Sequence, residues 1–380
     1  MRFGNDSFFG SGKAFDGNFG VRIIKTDLEN GTGKVINPGS LTSSTITIDP
    51  TLTGAALQVF TDALTISNTG GAKSGIAYKN SYTDTLPSLN LRLHWTDQLQ
   101  FRFAVSKAIV RPSFGQMSPY TNLAISTQNA GGYYTSVDYN GTGGNPDLKP
   151  MTADAYDLSA EWYFAPTGSL TLALFDKELK NYFLGATGDE SYTVGGITKT
   201  YSIFRTRNGD KGKVSGLELA YQQFYDMLPG AWSGLGVQAN YTLVNSSGGG
   251  NTPAGAGDTD SVSGASNSKL PLEGLSKNAY NLAVMYEKYG ISGRIAYNWR
   301  SNYLLTTSAA NVKAPVWSED YGQADASLLY SLTPHVKTGV QITNLFKAKT
   351  YLDVGNPGFI NRYNWFVTDQ RIAFVLRGQF

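Results

Sequence analysis

Cysteine is absent from the 380 residues, and histidine occurs only twice, as His94 and His335. The first absence excludes a disulfide framework and a thiolate-bound metal. With two histidines beside short turns, and no Ser/His/Asp spacing or histidine–carboxylate cluster, no catalytic residue, metal site or cofactor is assigned. Asp258 and Asp260 lie among glycines, but their spacing fits no calcium-loop template. Charge is scarce too. Asp, Glu, Lys and Arg make up 16% of the chain, against the roughly one quarter usual in soluble domains. The net charge of +2 gives no case for a nucleic-acid partner. No run of about 18 apolar residues exists, which excludes a transmembrane helix. The opening Met-Arg-Phe-Gly-Asn-Asp-Ser-Phe-Phe-Gly lacks the apolar centre of a secretory signal. That leaves a cytoplasmic protein, or one whose N-terminal part precedes this sequence.

What the chain does have is alternation. In residues 88–106, Leu89, Leu91, Leu93 and Trp95 alternate with Ser88, Asn90, Arg92 and His94. After a short polar turn, Leu99, Phe101, Phe103 and Val105 alternate with Gln100, Arg102, Ala104 and Ser106. A period of two places one set on each face of a strand, and two such arms form a hairpin. The same pattern returns around turns near 165–168, 227–232, 287–290 and 332–335, and in a last arm from Arg371 to Phe380. A strand is also read at 17–26, and shorter ones near 45–48 and 56–64.

Loop lengths divide into two kinds. Turns inside each pair take a few residues, whereas residues 107–151, 181–213, 245–277, 301–320 and 346–369 form long polar connections. Short turns alternating with long loops are the mark of an outer-membrane barrel; compact soluble domains rarely carry many structureless loops of that length. Arms of about 10 residues at about 3.3 Å each, tilted near 40°, span roughly 25 Å. Trp95, Trp162, Phe164, Tyr286 and Tyr330 fall on the apolar face beside the short turns, where an interfacial aromatic girdle belongs. The opposite set carries Arg92, Arg102, Asp157, Glu161, Asp325 and other charges, and calls for a watery or polar-filled lumen. The fold read from this is all-β, a transmembrane antiparallel barrel with about 13–14 strands over residues 1–380. Single-chain barrels have even counts. An odd count without a signal predicts further strands on the N-terminal side, while Phe380, in phase with the apolar stripe, predicts a complete C-terminal side.

Several short motifs occur in a fixed order: Gly17-Asn18-Phe19-Gly20-Val21-Arg22, Leu86-Pro87-Ser88-Leu89-Asn90 and Arg111-Pro112-Ser113-Phe114. Asn145-Pro146-Asp147-Leu148-Lys149-Pro150, Val214-Ser215-Gly216-Leu217-Glu218 and Ile342-Thr343-Asn344-Leu345-Phe346 follow. In this order and spacing the chain resembles the C-terminal part of the barrel of TonB-dependent outer-membrane receptors, in the form found in large proteobacterial receptors. The resemblance implies a 22-stranded barrel of which this is the C-terminal portion, a plug domain that is absent here, and a TonB box in a missing N-terminal region. It implies a monomer in outer-membrane lipid that takes up a scarce nutrient with energy from the TonB complex, and does no chemistry on it. An oligosaccharide is the first expectation for that ligand and a ferric siderophore the second. Arg22, Glu218, Arg294 and Arg300 become lumen positions facing the plug, with Glu218 also expected to pair with an inward arginine.

Aromatics with polar tips suit a sugar or a planar chelate. On that ground Tyr133, Tyr134, Tyr139, Trp317, Arg362 and Trp365, all in long loops, are the ligand candidates, and packing of loop on loop is the competing role. A passive porin-like channel and a soluble β-sandwich are the alternative functions.

Overall fold

In a computed structural model, the structure describes residues 1–5, 13–30, 35–37, 48–69, 78–130, 133–209, 211–248, 270–307, 315–355 and 361–378. Asp258, Asp260, Phe380 and nearly all of the short strand expected at 45–48 lie outside them.

The strands follow the chain as β1 (Arg2–Asn5), β2 (Ala14–Asn30), β3 (Val35–Asn37), β4 (Tyr78–His94), β5 (Leu99–Val110), β6 (Tyr120–Ala130), β7 (Tyr133–Gly143) and β8 (Met151–Ala165). Next come β9 (Gly168–Lys180), β10 (Phe183–Val194), β11 (Ile197–Asn208), β12 (Lys211–Phe224), β13 (Leu235–Gly248), β14 (Asn278–Lys288) and β15 (Ile291–Arg300). The last are β16 (Tyr303–Thr306), β17 (Val316–Ser318), β18 (Tyr321–Thr333), β19 (Val336–Thr343), β20 (Lys349–Val354), β21 (Asn361–Val367) and β22 (Arg371–Gly378). Among the described residues one α-helix, α1 (Gly54–Asn68), lies between β3 and β4.

Thirteen strands form one antiparallel wall in the order β1-β2-β4-β5-β8-β9-β12-β13-β14-β15-β18-β19-β22. Its register aligns the apolar positions read from the sequence. Phe101, Ala160, Leu172, Leu219, Tyr241, Tyr280 and Trp299 make one cross-strand row. Val284, Ile295, Ala326, Ile342 and Ile372 make another. No layer covers this face: Leu219, Leu282, Ile295 and Leu328 are exposed, and Phe374 reaches 86%. A water-facing sheet would not leave so wide an apolar surface open, whereas lipid is its natural solvent. Trp95, Trp162 and Tyr330 stand exposed beside the short turns.

On the opposite face several charges are paired within the wall. Arg92 Nε lies 2.9 Å from Asp16, His94 Nε2 lies 3.5 Å from the same carboxylate, and Arg102 Nε lies 2.7 Å from Glu161. Glu161 also accepts from Gln100 and from the Tyr163 hydroxyl. The short turns are locally encoded. Tyr289 and Gly290, both at positive φ, make the two-residue turn between β14 and β15, which is the backbone a right-twisted hairpin needs.

The long connections differ from expectation, because they hold structure of their own. Strands β10-β11-β7-β6-β3 form a five-stranded sheet, and β16-β17-β20-β21 a four-stranded one. The two buried apolar clusters sit in these loop sheets and not in the wall. Residues 56–64, expected as a strand, are helical. Phe60, Ala63 and Ile66 recur at three-residue steps and are buried, while either two-residue alternation there mixes apolar with polar. Ala63 and Ile66 pack on Leu123, Ile125, Tyr192, Tyr201 and Ile203 of the five-stranded sheet, and Lys199 reaches Asp62 at 2.8 Å. Burying each such aliphatic side chain contributes about 1.5–3 kcal/mol, so the amphipathic helix is held by its sheet.

Candidate functional site

All five long connections leave the wall at the end opposite its tight turns, so both loop sheets stand at one mouth. The five-stranded sheet gathers Tyr133, Tyr134 and Tyr139 onto β7. Tyr133 is exposed, and of Tyr134 only the backbone is described. Tyr139 packs edge-to-face on Tyr201, with ring centroids 5.3 Å apart. Burial, with Tyr139 alongside, pushes the Tyr201 phenol up to about 12. Tyr139 thus packs loop on loop, the competing role, and does not face the mouth. Arg205 is nearly buried at the edge of this core. It donates to Glu190 (2.9 Å), the Gly144 carbonyl (2.7 Å), Thr121 (3.2 Å) and the Tyr192 hydroxyl (3.2 Å). Arg207 takes the other Glu190 oxygen at 2.9 Å.

The four-stranded sheet brings the remaining candidates together. Trp317 pairs with Asp353, Asp353 with Arg362, and Tyr351 with Trp365. A register shift after Leu352 lets Arg362 take the place that alternation would give Tyr363. Trp317, Tyr351, Asp353, Arg362 and Trp365 therefore share one face. Val316, Leu352 and Val354 form the buried cluster on the other. Arg362 lies 2.8 Å from Glu319, 3.1 Å from Asp353 and 4.5 Å from the centre of the Tyr351 ring. The Trp317 indole donates to the Gly355 carbonyl at 2.9 Å. Trp365 remains 57% exposed. Arg362 is thus already saturated by two carboxylates, and the open contact surface is aromatic. Tyr351, Asp353 and Glu319 were missed from the sequence. The alternation of Tyr351 and Asp353 around Leu352 was available as a signal, but the shift that aligns them with Arg362 was not.

Burial and the neighbouring Glu319 raise the Asp353 carboxyl above its usual range, against the pull of Arg362. A carboxyl raised by folding binds its proton more tightly in the folded state, so the contribution of this group to stability is present at low pH and is lost as pH rises through the raised value. Asp353→Asn should remove that fall. Hydrogen exchange of the β20 and β21 amides across this range checks it, and an unchanged pH dependence in the variant would count against the assignment.

The lumen candidates separate. Arg22 and Arg294 are exposed on the inward face. Arg300 is committed at the loop base, where it donates to Ser276 (2.8 Å) and the Gly274 carbonyl (3.1 Å) and stacks 3.8 Å over Tyr303. Glu218 has Ala173 and Thr242 as cross-strand neighbours, and among the described residues it makes no ion pair. The expected arginine partner is lacking because both cross-strand positions beside Glu218 hold residues without charge. Gly216, two residues before Glu218, is pressed by its neighbours: a Cβ there would run into the Leu243 carbonyl and the Phe175 ring.

Two further motifs hold the backbone of their loops. Asn344, fully buried at a φ of 55°, donates to the Thr368 carbonyl and accepts from the Ala348 amide. Asn145 donates to the Thr206 carbonyl at 3.1 Å and caps the Asp147 amide, with Leu148 buried beneath. Among the described residues no group of three or more His, Cys, Asp or Glu is placed to hold a metal.

Residues 3–345 match the family described as TonB dependent receptor-like, beta-barrel. The chain belongs to the TonB-dependent receptor β-barrel family. As a TonB-dependent receptor barrel it is an outer-membrane protein of Gram-negative bacteria, from a family of transporters and not of enzymes. Among curated proteins none matches the chain.

Solved receptor structures are similar in fold. A mutant of the ferric enterobactin receptor from Pseudomonas aeruginosa is 15% identical, with 97% of this chain on 51% of that one and a TM-score of 0.56. The ferric-catecholate import receptor from E. coli is 16% identical, with 97% on 42% and a TM-score of 0.53. The ferric yersiniabactin uptake receptor from Yersinia pestis is 13% identical, with 99% on 44% and a TM-score of 0.52. The TonB-dependent receptor barrel described here thus spans about half the length of these receptors. Its wall corresponds to part of theirs.

Proposed function

We propose that this barrel is the C-terminal part of a receptor for TonB-energised uptake of an oligosaccharide. The carrying observation is the outer face of the four-stranded loop sheet. Trp317, Tyr351 and Trp365 surround an arginine whose charge is already taken by Glu319 and Asp353. Aromatic faces with neutralised polar groups between them suit an uncharged, hydroxyl-rich ligand. The cations of the five-stranded sheet are likewise paired, Lys199 with Asp62 and both Arg205 and Arg207 with Glu190.

A ferric siderophore is the second reading, favoured by the names of the similar solved receptors. An anionic chelate would be better served by unpaired cations at the mouth. In the intact receptor a plug fills the lumen against Arg22, Glu218 and Arg294, and the TonB complex pulls on a region N-terminal to this sequence.

Trp365→Ala in the receptor that carries this chain removes one stacking face, worth about 0.5–1.5 kcal/mol, or roughly two- to twelvefold in affinity. Uptake of labelled oligosaccharide should fall by that factor at subsaturating concentration. Unchanged sugar uptake with reduced ferric-siderophore uptake would select the second reading.

A further inference from the structure

We propose that the open edge of the four-stranded loop sheet is the docking site for one more strand of the same receptor, the strand that closes the barrel against β22. This loop sheet is the wall continued beyond the membrane. Strand β16 carries on from β15, β17 leads into β18, β20 carries on from β19, and β21 leads into β22. Its order, β16-β17-β20-β21, repeats the wall order β15-β18-β19-β22. Side chains tie the joints: the Asn344 amide donates to the Thr368 carbonyl and the Gln370 amide to the Leu345 carbonyl, each at 2.8 Å. Strands β21 and β22 therefore present one continuous edge, from Asn361 to Gly378.

Strand direction rules out β1 as the partner of that edge. Strand β22 runs from Arg371, opposite Thr343, down to Gly378, opposite Val336 beside a tight turn. Strand β1 runs the same way, with Arg2 opposite Asn18 and Asn5 opposite Phe15, close to the turn that follows His94. Pairing β1 with β22 would be parallel, whereas barrels of this kind are antiparallel. The neighbour of β22 must rise toward the mouth, and a strand rising along β22 arrives at β21. Closure at β22 is what the family's barrel requires; continuation along β21 is the new step.

The edge itself asks for such a cover. All seven residues of β21 are exposed, and among the described residues β20 is its only strand partner. Trp365 stands on one face and Phe366 on the other, so both faces are apolar and open. Lysine and proline, which blunt open edges, are absent from β21, and Arg362 is held by Glu319 and Asp353. Strands of the required reach already occur in this wall. Strands β2 and β4 are 17 residues each and pair along their whole length, well beyond the roughly 9–11 residues of a membrane crossing. A second copy of the chain would meet the emerging end of the closing strand before it could pair with β21. The added strand sets a side chain about 4.5–5.5 Å from Trp365 across the pair. The aromatic face thus gains a neighbour from outside this sequence; only that face's role in binding rests on the sugar reading.

Paired cysteines in the receptor that carries this chain test the pairing without any ligand, so the result stands apart from the sugar reading. The 380 residues hold no cysteine of their own. One cysteine is placed by Asn364→Cys or Phe366→Cys on β21, or by Phe374→Cys on β22 as the control. The second is moved residue by residue along the barrel strand next to β22 and the loop that follows it. Directly opposed positions on antiparallel strands lie within disulfide reach. Each of the three sites should form an intramolecular disulfide. The partner position for Phe366→Cys should lie two residues earlier than that for Asn364→Cys, as antiparallel pairing demands. A disulfide from Phe374→Cys with none from either β21 site would overturn the proposal, because the closing strand then stops at the membrane. Covalent dimers from the β21 sites would overturn it in favour of a second copy, and no disulfide from any of the three would show that no such strand lies along this edge.

Discussion

Leu219→Arg should destabilise the folded receptor in lipid by about 2–4 kcal/mol, the cost of an arginine at the bilayer midplane on the outer face of a barrel. Leu219 sits midway along β12, between Leu217 and Tyr221, with Leu172 and Tyr241 as cross-strand partners. Its side chain has no protein layer over it. Ala220→Arg, one residue along, points to the lumen, where Thr171 and Asn240 are its cross-strand neighbours. There the guanidinium stays solvated, and the cost should be within about 0.5 kcal/mol. Urea unfolding from vesicles measures both. Equal costs at the two positions would mean the faces are not distinguished by solvent.

Arg205→Met should loosen the five-stranded loop sheet by about 2–3 kcal/mol while leaving the wall intact. Truncating one partner of a buried ion pair costs about 3–5 kcal/mol. Here the figure is reduced because Arg207 still answers Glu190. The Gly144 carbonyl, Thr121 hydroxyl and Tyr192 hydroxyl each lose a donor. Amide exchange should accelerate about 30- to 150-fold in β6, β7, β10 and β11 and stay unchanged in β12 to β15. Acceleration across the wall would show that loop sheet and wall unfold as one unit, contrary to their separate buried clusters.

The wall was legible because it is built by one repeated local rule. Strand positions alternate regardless of what they pair with, so Leu89 to Trp95 and Leu99 to Val105 declare their faces without knowledge of register. The two-residue turn at Tyr289 and Gly290 could likewise be placed from its neighbours. The loop sheets were not legible, since their pairings are nonlocal. Strand β7 lies parallel to β11 and β3 parallel to β6, and no turn joins either pair. Helix α1 was hidden by its threonines and β-branched residues, which favour strands; its Thr61, Thr65 and Thr69 hydroxyls instead bond back to carbonyls four residues earlier. At the candidate site, residue type found Trp317, Arg362 and Trp365 separately, but only the register of β17, β20 and β21 puts them on one face. Residue type also picked Tyr139, which the packing of Tyr201 and Lys199 turns into a core residue.

Nitroxide labels on neighbouring residues of the β4–β5 hairpin probe the central assignment of faces most directly. In the receptor in lipid vesicles, labels at Leu91, Leu93, Phe101 and Phe103 should be relaxed strongly by dissolved oxygen and weakly by a water-soluble nickel chelate, and labels at Arg92 and Arg102 should show the reverse preference. If the leucine and phenylalanine positions favour the nickel chelate, or if no alternation is seen along the hairpin, this wall does not stand between lipid and an aqueous lumen.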